Sequence, residues 1–181
     1  LLAILFMIPM IYLLDGNERG DFAKKWRDPQ LWRSGILCGI FLFIATALQQ
    51  IGLVDTSAGK AGFITAMYIV IVPFIGLFYG KKPGIAPIIS VFIAVIGLYL
   101  LSCVGVDSIN SGDILLIGCA VAFSFHIVVV DHYASLVDGV KLSCIQFLVC
   151  GVLSSIMMFI FEEPEMAGLL KAAVPILYAG I

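Results

Sequence analysis

Charge is what this 181-residue sequence has least of. Asp, Glu, Lys and Arg make up 12% of it, about half the roughly 25% usual in a soluble domain. Hydrophobic residues reach 62% and the mean hydropathy is +1.14. A soluble helical protein of that composition would expose apolar patches large enough to aggregate, so an ordinary soluble domain is excluded. The net charge is only -2 and the basic residues form no single stripe, which excludes nucleic acid as a partner. The five cysteines, Cys38, Cys103, Cys119, Cys144 and Cys150, include no CxxC pair and lie mostly within apolar runs. They read as small buried hydrophobes, with no disulfide framework and no metal site. HExxH, G-x-S-x-G and Walker A motifs are all missing, as is a carboxylate near the middle of any apolar run. An enzyme is therefore not expected, and neither is a cofactor. The chain also has no filter-like loop and no ring-forming charged span, which argues against a channel.

What the sequence does have is length in its apolar runs. Between Lys60 and Lys81 it reads AGFITAMYIVIVPFIGLFYG, without one charge. As a helix this run would cover roughly 30 Å, the thickness of a bilayer's hydrocarbon core. Seven such segments follow one another: Leu1–Leu14, about Leu31–Val54, about Ala58–Gly80, about Ile85–Val106, about Asp113–Asp131, about Val140–Phe161, and one starting near Lys171. Helices are required, because each segment must satisfy its own backbone hydrogen bonds in lipid. Barrel strands would be about ten residues long and would alternate apolar with polar residues. The expected fold class is an all-α polytopic membrane protein. The chain starts at Leu rather than Met, inside an apolar run, and stops inside another, VPILYAGI. It reads as an internal fragment of a longer protein.

The loops give a direction. If the segments alternate across the membrane, one side receives Arg19, Lys24, Lys25, Arg27, Arg33, Lys81, Lys82 and Lys141, and the other only Lys60 and Lys171. Short-loop Lys and Arg are retained in the cytoplasm. Loops 15–30, 81–84 and 132–140 are thus expected to be cytoplasmic, in a cell (inner or plasma) membrane. Asp55, Asp107, Asp113, Glu162, Glu163 and Glu165 would face outward. Within Asp15–Gln30, Phe22 and Trp26 could turn toward lipid headgroups, or the stretch could be a solvated linker. Asp131 and His132 are expected to be solvated.

The most specific stretch is IGLVDTSAGKAGFITAMYIVIVPFIGL. Asp55, Thr56 and Ser57 offer helix N-cap chemistry. Ala58, Gly62 and Ala66 recur every four residues and predict a closely packed face. Pro73 removes a hydrogen bond to the Ile69 carbonyl and predicts a kink. GxxxG spacing at Gly35–Gly39 and Gly76–Gly80, with a small-residue version at Gly118–Ala122, predicts further close helix contacts.

This stretch resembles the third-to-fourth-helix hairpin of EamA-type transporters in the drug/metabolite transporter superfamily. GDILLIGCAVAFSFHIVVVDHY resembles that family's sixth helix, and the stretch around Gln146 its seventh. The resemblance implies part of a ten-helix bundle built from two inverted five-helix repeats. Residues 1–106 would be the later part of the first repeat, with helix two truncated. Residues 107–181 would be the start of the second, with helix eight truncated. Helix one and the last helices would be missing, and the isolated fragment would not be expected to transport.

Polar side chains inside membrane spans usually face a bundle interior or a watery cavity. Those expected along a substrate pathway are Thr46, Gln49, Gln50, Thr65, Tyr68, Ser124, His126 and Gln146. The bland alternative for each, Ser143 included, is a hydrogen bond to a neighbouring helix. Gln49 and Gln50 cannot both face the same way, so at least one should look inward. His126 could serve substrate or proton, or sit neutral on a backbone carbonyl. Lys60, at the outer mouth, could snorkel to headgroups or attract an anionic group. The expected function is a secondary transporter moving small organic metabolites, amino-acid-like or drug-like, by alternating access. The alternative is a membrane-embedded interaction or assembly subunit without transport activity. The expected partners are a small-molecule substrate and the lipid bilayer, with a homodimer left open.

Overall fold

A computed structural model of the chain describes residues 2–14, 26–78, 84–102 and 110–161. Every regular element among the described residues is a helix: α1 (Leu2–Leu14), α2 (Pro29–Asp55), α3 (Ala58–Ala66), α4 (Tyr68–Phe78), α5 (Ile85–Ser102), α6 (Ser111–Ala134) and α7 (Gly139–Phe161). Six of the seven expected segments map onto these helices. The segment starting near Lys171 lies outside the described residues, as do Phe22 and Cys103. Four stretches, Pro29–Asp55, Ala58–Leu77, Ser111–Ala134 and Gly139–Phe161, are long and apolar enough to cross a membrane. The chain is an all-α polytopic membrane protein.

Burial does not sort residues by apolar size as in a water-soluble core. The small and weakly polar Ser34, Cys38, Ala45, Ala61, Cys119, Ala120 and Ser124 are buried alongside Leu31, Leu116, Leu142 and Ile145. Large apolar residues such as Phe92, Ile93, Leu100 and Phe159 are mostly exposed. Lipid tails solvate Phe and Ile as well as a protein interior would. Helix contacts therefore select residues that let backbones approach.

The chain divides into two compact units, Leu1–Phe43 with His132–Ile181, and Ile44–Asp131. In the first, α2 lies along α7. A Cβ placed on Gly35 would fall 2.5 Å from Ile145, and one on Gly39 would fall 2.6 Å from Val149 and 2.9 Å from the Gln146 carbonyl. The Gly35–Gly39 expectation is met. Both contact positions advance by four residues, so α2 and α7 run parallel. Ile4 and Ile11 of α1 join Cys144 of α7 in a small cluster, with Met7, Trp26 and Val140 packed against it. Trp26 thus rests on protein rather than pointing only toward headgroups, and its carbonyl accepts the Trp32 indole N–H at 2.7 Å.

In the second unit, the end of α2 runs antiparallel to the start of α6. Gly52 faces Gly112 and Leu116, and Leu48 faces Gly118. Helices α3 and α4 run parallel to α6, with Lys60 at Asp113, Thr65 at Cys119 and Tyr68 at Phe123. The starts of α3 and α6 therefore lie at the same end, as an alternating threading with one intervening helix requires. Helix α5 returns against α3, with Phe63 and Tyr99 edge to face at 6.5 Å.

The third span is interrupted at Met67, between α3 and α4. There the Met67 N–H bonds to the Ile64 carbonyl at 3.1 Å and the Val70 N–H to the Met67 carbonyl at 3.0 Å, a local tightening to three-residue spacing. The break lies six residues before Pro73, and α4 continues through that proline. Beyond the break, α4 and α5 leave an apolar cavity of about 460 Å³ between them, lined by Met67, Val70, Pro73, Phe74, Leu77, Ile88, Val91, Phe92 and Val95.

The small-residue face expected at Ala58, Gly62 and Ala66 is not the packed one. Ala61 and Thr65 are buried instead, and a Cβ on Gly59, Gly62 or Gly76 would meet nothing within 4 Å. Gly118 makes only an ordinary contact with Leu48. In each case the glycine spacing is present but the helix turns a different side to its neighbour.

Candidate functional site

The α2–α3 corner does not use its polar side chains as helix caps. Ser57 has the extended backbone of an N-cap residue (φ -62°, ψ 147°), yet its side chain makes no capping bond. The neighbouring groups reach across to the start of α6. Thr56 Oγ1 lies 3.2 Å from both Asp113 Oδ1 and Asn110 Oδ1. The Asp55 carbonyl accepts from Asn110 Nδ2 at 2.7 Å, and Asp55 Oδ2 accepts from Ser111 Oγ at 3.2 Å. Asn110 and Asp113 form a reciprocal cap. The Asp113 N–H donates to Asn110 Oδ1 at 2.9 Å, and the Asn110 N–H donates to Asp113 Oδ2 at 3.0 Å.

Lys60 closes this knot. Its ammonium donates to Asp113 Oδ2 at 2.6 Å, with the lysine side chain 23% exposed and the carboxylate side chain 3%. Lys60 is therefore an ion-pair partner, not a side chain committed to the headgroups. Asp113, one of the acids expected to face outward, is buried. Two unlike charges one turn or less into their helices can meet only because α3 and α6 start at the same end. Sequence order alone, fifty-three residues apart, did not reveal that meeting. The reciprocal cap was legible, however, in N-S-G-D just ahead of an apolar run.

One turn further in, Thr65 is buried, 7% exposed. Among the described residues its hydroxyl has no hydrogen-bond partner, and the Cys119 thiol is its polar neighbour. Tyr68 follows, half-buried, its ring 6.1 Å from that of Phe123 and tilted by 48°. On α2, Gln49 is half-buried on the side that carries buried Ala45 and Gly52, while Gln50 is exposed. The two amides thus differ in burial, Gln49 being the more enclosed. Thr46 is half-buried.

Ser124 is fully buried, but its hydroxyl donates to the Ala120 carbonyl of its own helix at 2.7 Å. Ser143 does the same with Gly139 at 2.9 Å. These serines are bound to their own helix rather than to a neighbouring one. His126 is half-buried on α6, and Asp131 and His132 beyond it are exposed, as expected. Gln146 is buried in the other unit. None of the polar pathway residues lines the apolar cavity between α4 and α5, which is bordered by carbon and the Met67 sulfur.

A second charged pair stands where α7 begins. Asp138 Oδ1 accepts the Val140 N–H at 3.0 Å and the Lys141 N–H at 3.2 Å, and Oδ2 accepts the Lys141 ammonium at 3.2 Å. Lys141, counted among the cytoplasmic-side cations, is 1% exposed. Partial burial works against ionisation of Asp138, but the bonds from Lys141 and Val140 outweigh it and hold the carboxyl below its usual value. Cys38, Cys119 and Cys144 are buried as free thiols and Cys150 is half-buried, in line with their reading as small apolar residues. No group of three or more His, Cys, Asp or Glu suited to a metal occurs among the described residues.

The arrangement is one bonded polar knot at the α2–α3 corner and single polar groups spaced along the apolar helices. Residues 1–103 match the family model described as "EamA-like transporter family". An "uncharacterized transporter" of Archaeoglobus fulgidus is 34% identical over 135 residues, 74% of this chain. The match spans 42% of that relative's own length. No solved structure matches. With more than half of its length matching the family model, the chain belongs to the EamA-like transporter family.

Proposed function

We propose that this chain forms part of a secondary transporter that moves a small organic metabolite across the cytoplasmic membrane by alternating access. Family membership supports a transport role. The observation that carries the reading further is the buried Thr65 hydroxyl, which sits in an apolar span one turn from Tyr68 and has, beyond the weakly hydrogen-bonding Cys119 thiol, no partner among the described residues. Leaving a hydroxyl unsatisfied at that depth costs free energy, and a solute's polar group would recover it. Gln49, Thr46 and His126 supply further polar surface on α2 and α6, and Gln146 on α7. Residues 1–106 and 107–181 are assigned to successive inverted repeats, with loops 15–30, 81–84 and 132–140 cytoplasmic. The chemistry needs no enzyme active site, and a homodimer is compatible with it.

The test is solute flux in vesicles containing the whole protein. Saturable flux that falls, or changes specificity, in Tyr68→Ala and Gln49→Ala supports the assignment. Flux unchanged in both variants rejects these residues as the solute path. A proton role for His126 predicts that the pH dependence of flux disappears in His126→Gln.

A second reading, an assembly subunit without transport activity, draws on the open face of α3, where Gly59 and Gly62 meet nothing within 4 Å. It predicts a stable co-purifying partner and no saturable flux.

A further inference from the structure

We propose that Lys60 and Asp113 are positioning residues: their ion pair fixes the register of α3 on α6 and so places Thr65 and Tyr68. Three contacts define that register, Lys60 with Asp113, Thr65 beside Cys119, and Tyr68 against Phe123. The offsets between partners stay within two residues over this stretch, so the helices run side by side without slipping. Thr56 and Asp55 of the adjoining corner also bond Asn110, Ser111 and Asp113, but within the span the two later contacts do not hold that register alone. A thiol beside a hydroxyl and a pair of tilted rings would tolerate a shift of one turn, because apolar helix faces in lipid gain little from one register over another. A buried carboxylate does not tolerate it. Sliding α3 by a turn, about 5.4 Å, would take the ammonium out of reach of Asp113 and leave a charge in a poorly solvated place.

The donor set separates this role from capture of an anionic solute. Asp113 is engaged on both oxygens: the Lys60 ammonium and the Asn110 N–H meet one, and the Thr56 hydroxyl, which also faces Asn110 Oδ1, meets the other. Lys60 already has its counter-charge at 2.6 Å, so an anionic solute would have to displace a bonded, buried partner. The remaining charged group of the knot, Asp55, is engaged by Ser111 and is exposed. Every polar group of the cluster with a bond given above bonds to another part of the same corner. A mutually bonded cluster works as a clasp.

The solute-path role of Thr65 and Tyr68 rests on the transport reading, whereas the register does not. The two are therefore measured separately. In the whole protein, with Cys38, Cys103, Cys144 and Cys150 changed to Ala, Thr65→Cys stands next to the native Cys119 and reports the register as a disulfide under mild oxidation. In this background Lys60→Gln and Asp113→Asn are expected to lose the crosslink, since cysteines whose Cα atoms separate beyond about 7 Å cannot bridge. Asparagine can still accept the Asn110 N–H, so the start of α6 persists in that variant. Lys60→Arg is expected to keep the crosslink. In the Thr65 protein, flux should follow the same order, falling by roughly tenfold in the single variants, the scale of coupling between contacting residues. Crosslinking that is equally efficient in Lys60→Gln and Asp113→Asn overturns the proposal, whatever flux does. Crosslinking that is lost in Lys60→Arg as well as in Lys60→Gln and Asp113→Asn also overturns it. A parent protein with the expected crosslink pattern but no saturable flux leaves the clasp standing and removes the transport reading.

Discussion

Gly52 of α2 and Gly112 of α6 meet backbone to backbone. A Cβ added to Gly112 would lie 2.6 Å from the Gly52 carbonyl oxygen and 2.6 Å from Thr56 Oγ1, and one added to Gly52 would lie 2.9 Å from the Gly112 carbonyl. Neither neighbour is the free end of a flexible side chain. Gly112→Ala must therefore push the two helices apart and strain the hydrogen bonds of the Thr56–Asp113 knot. The expected loss is about 1–3 kcal/mol, the usual range for overpacking. Gly62→Ala is the control: its Cβ enters open space, and alanine favours a helix by roughly 0.8–1 kcal/mol over glycine. Thermal unfolding midpoints in one detergent–lipid mixture should fall for the first and hold or rise for the second. Equal shifts in both would show that the crossing is not as close as the structure has it.

Sidedness can be read from exposed serines at the two ends of α6. The helix spans Ser111–Ala134, 24 residues, or about 36 Å, enough to cross. Ser111 and Ser135 are both exposed, and Ser57 lies beside the start of α6 through the contacts of Thr56. With an impermeant thiol reagent, Ser57→Cys and Ser111→Cys should label from one side and Ser135→Cys from the other. If loop 132–140 is cytoplasmic, as proposed above, Ser135→Cys is the position shielded from reagent added outside. Labelling of Ser111→Cys and Ser135→Cys from the same side would break the threading.

The helices were legible because lipid leaves the backbone few options: Leu31–Val54 and Val140–Phe161 coincide with α2 and α7 to within two residues. Which face of each helix is buried was not legible. In water a core announces itself by large apolar residues on one side, but here Phe92 and Ile93 face outward and Ala61 and Cys119 face inward. Glycine spacing picked out Gly35–Gly39 correctly and misled at Gly62 and Gly76, because small residues permit close approach on any side. The burial of Asp113 and Lys141 was not legible for a related reason. Proximity in sequence to a loop says nothing about a partner that arrives from another helix, as Lys60 does, or about a turn tight enough to fold Asp138 back onto Lys141.

Asp138 should make stability depend on pH at the acidic end. Its folded-state carboxyl titrates below the ordinary value, so the native state favours the ionised form. That contribution is fully present above the unfolded-state value, near 3.9, and is lost as pH falls through the lower folded-state value. Asp138→Ala removes both the cap on Val140 and the counter-charge of Lys141, with an expected cost of about 1–2 kcal/mol, near the upper range for a cap. Asp138→Asn should cost less, since its amide oxygen can still cap α7. Unfolding curves for the parent and Asp138→Asn should separate at neutral pH and converge as the pH falls below the unfolded-state value. A gap that stays constant across that interval would show that the charge of Asp138 contributes nothing.

Thr65 and Ser124 are both buried hydroxyls in apolar spans, yet they should respond differently to removal. Ser124 donates to Ala120 within its own helix, so Ser124→Ala deletes a local bond and should leave flux and specificity near the parent's. The Thr65 hydroxyl finds no hydrogen-bond partner among the described residues. Thr65→Val keeps the shape and deletes only the unsatisfied group, so stability should rise, by about 1 kcal/mol. Solute affinity should weaken at the same time, because the hydroxyl meets its partner only when solute is bound. A variant that grows more stable while its half-saturation concentration climbs would have the signature of a binding group held unsatisfied for function. Greater stability with an unaltered half-saturation concentration would reduce Thr65 to an imperfection of packing.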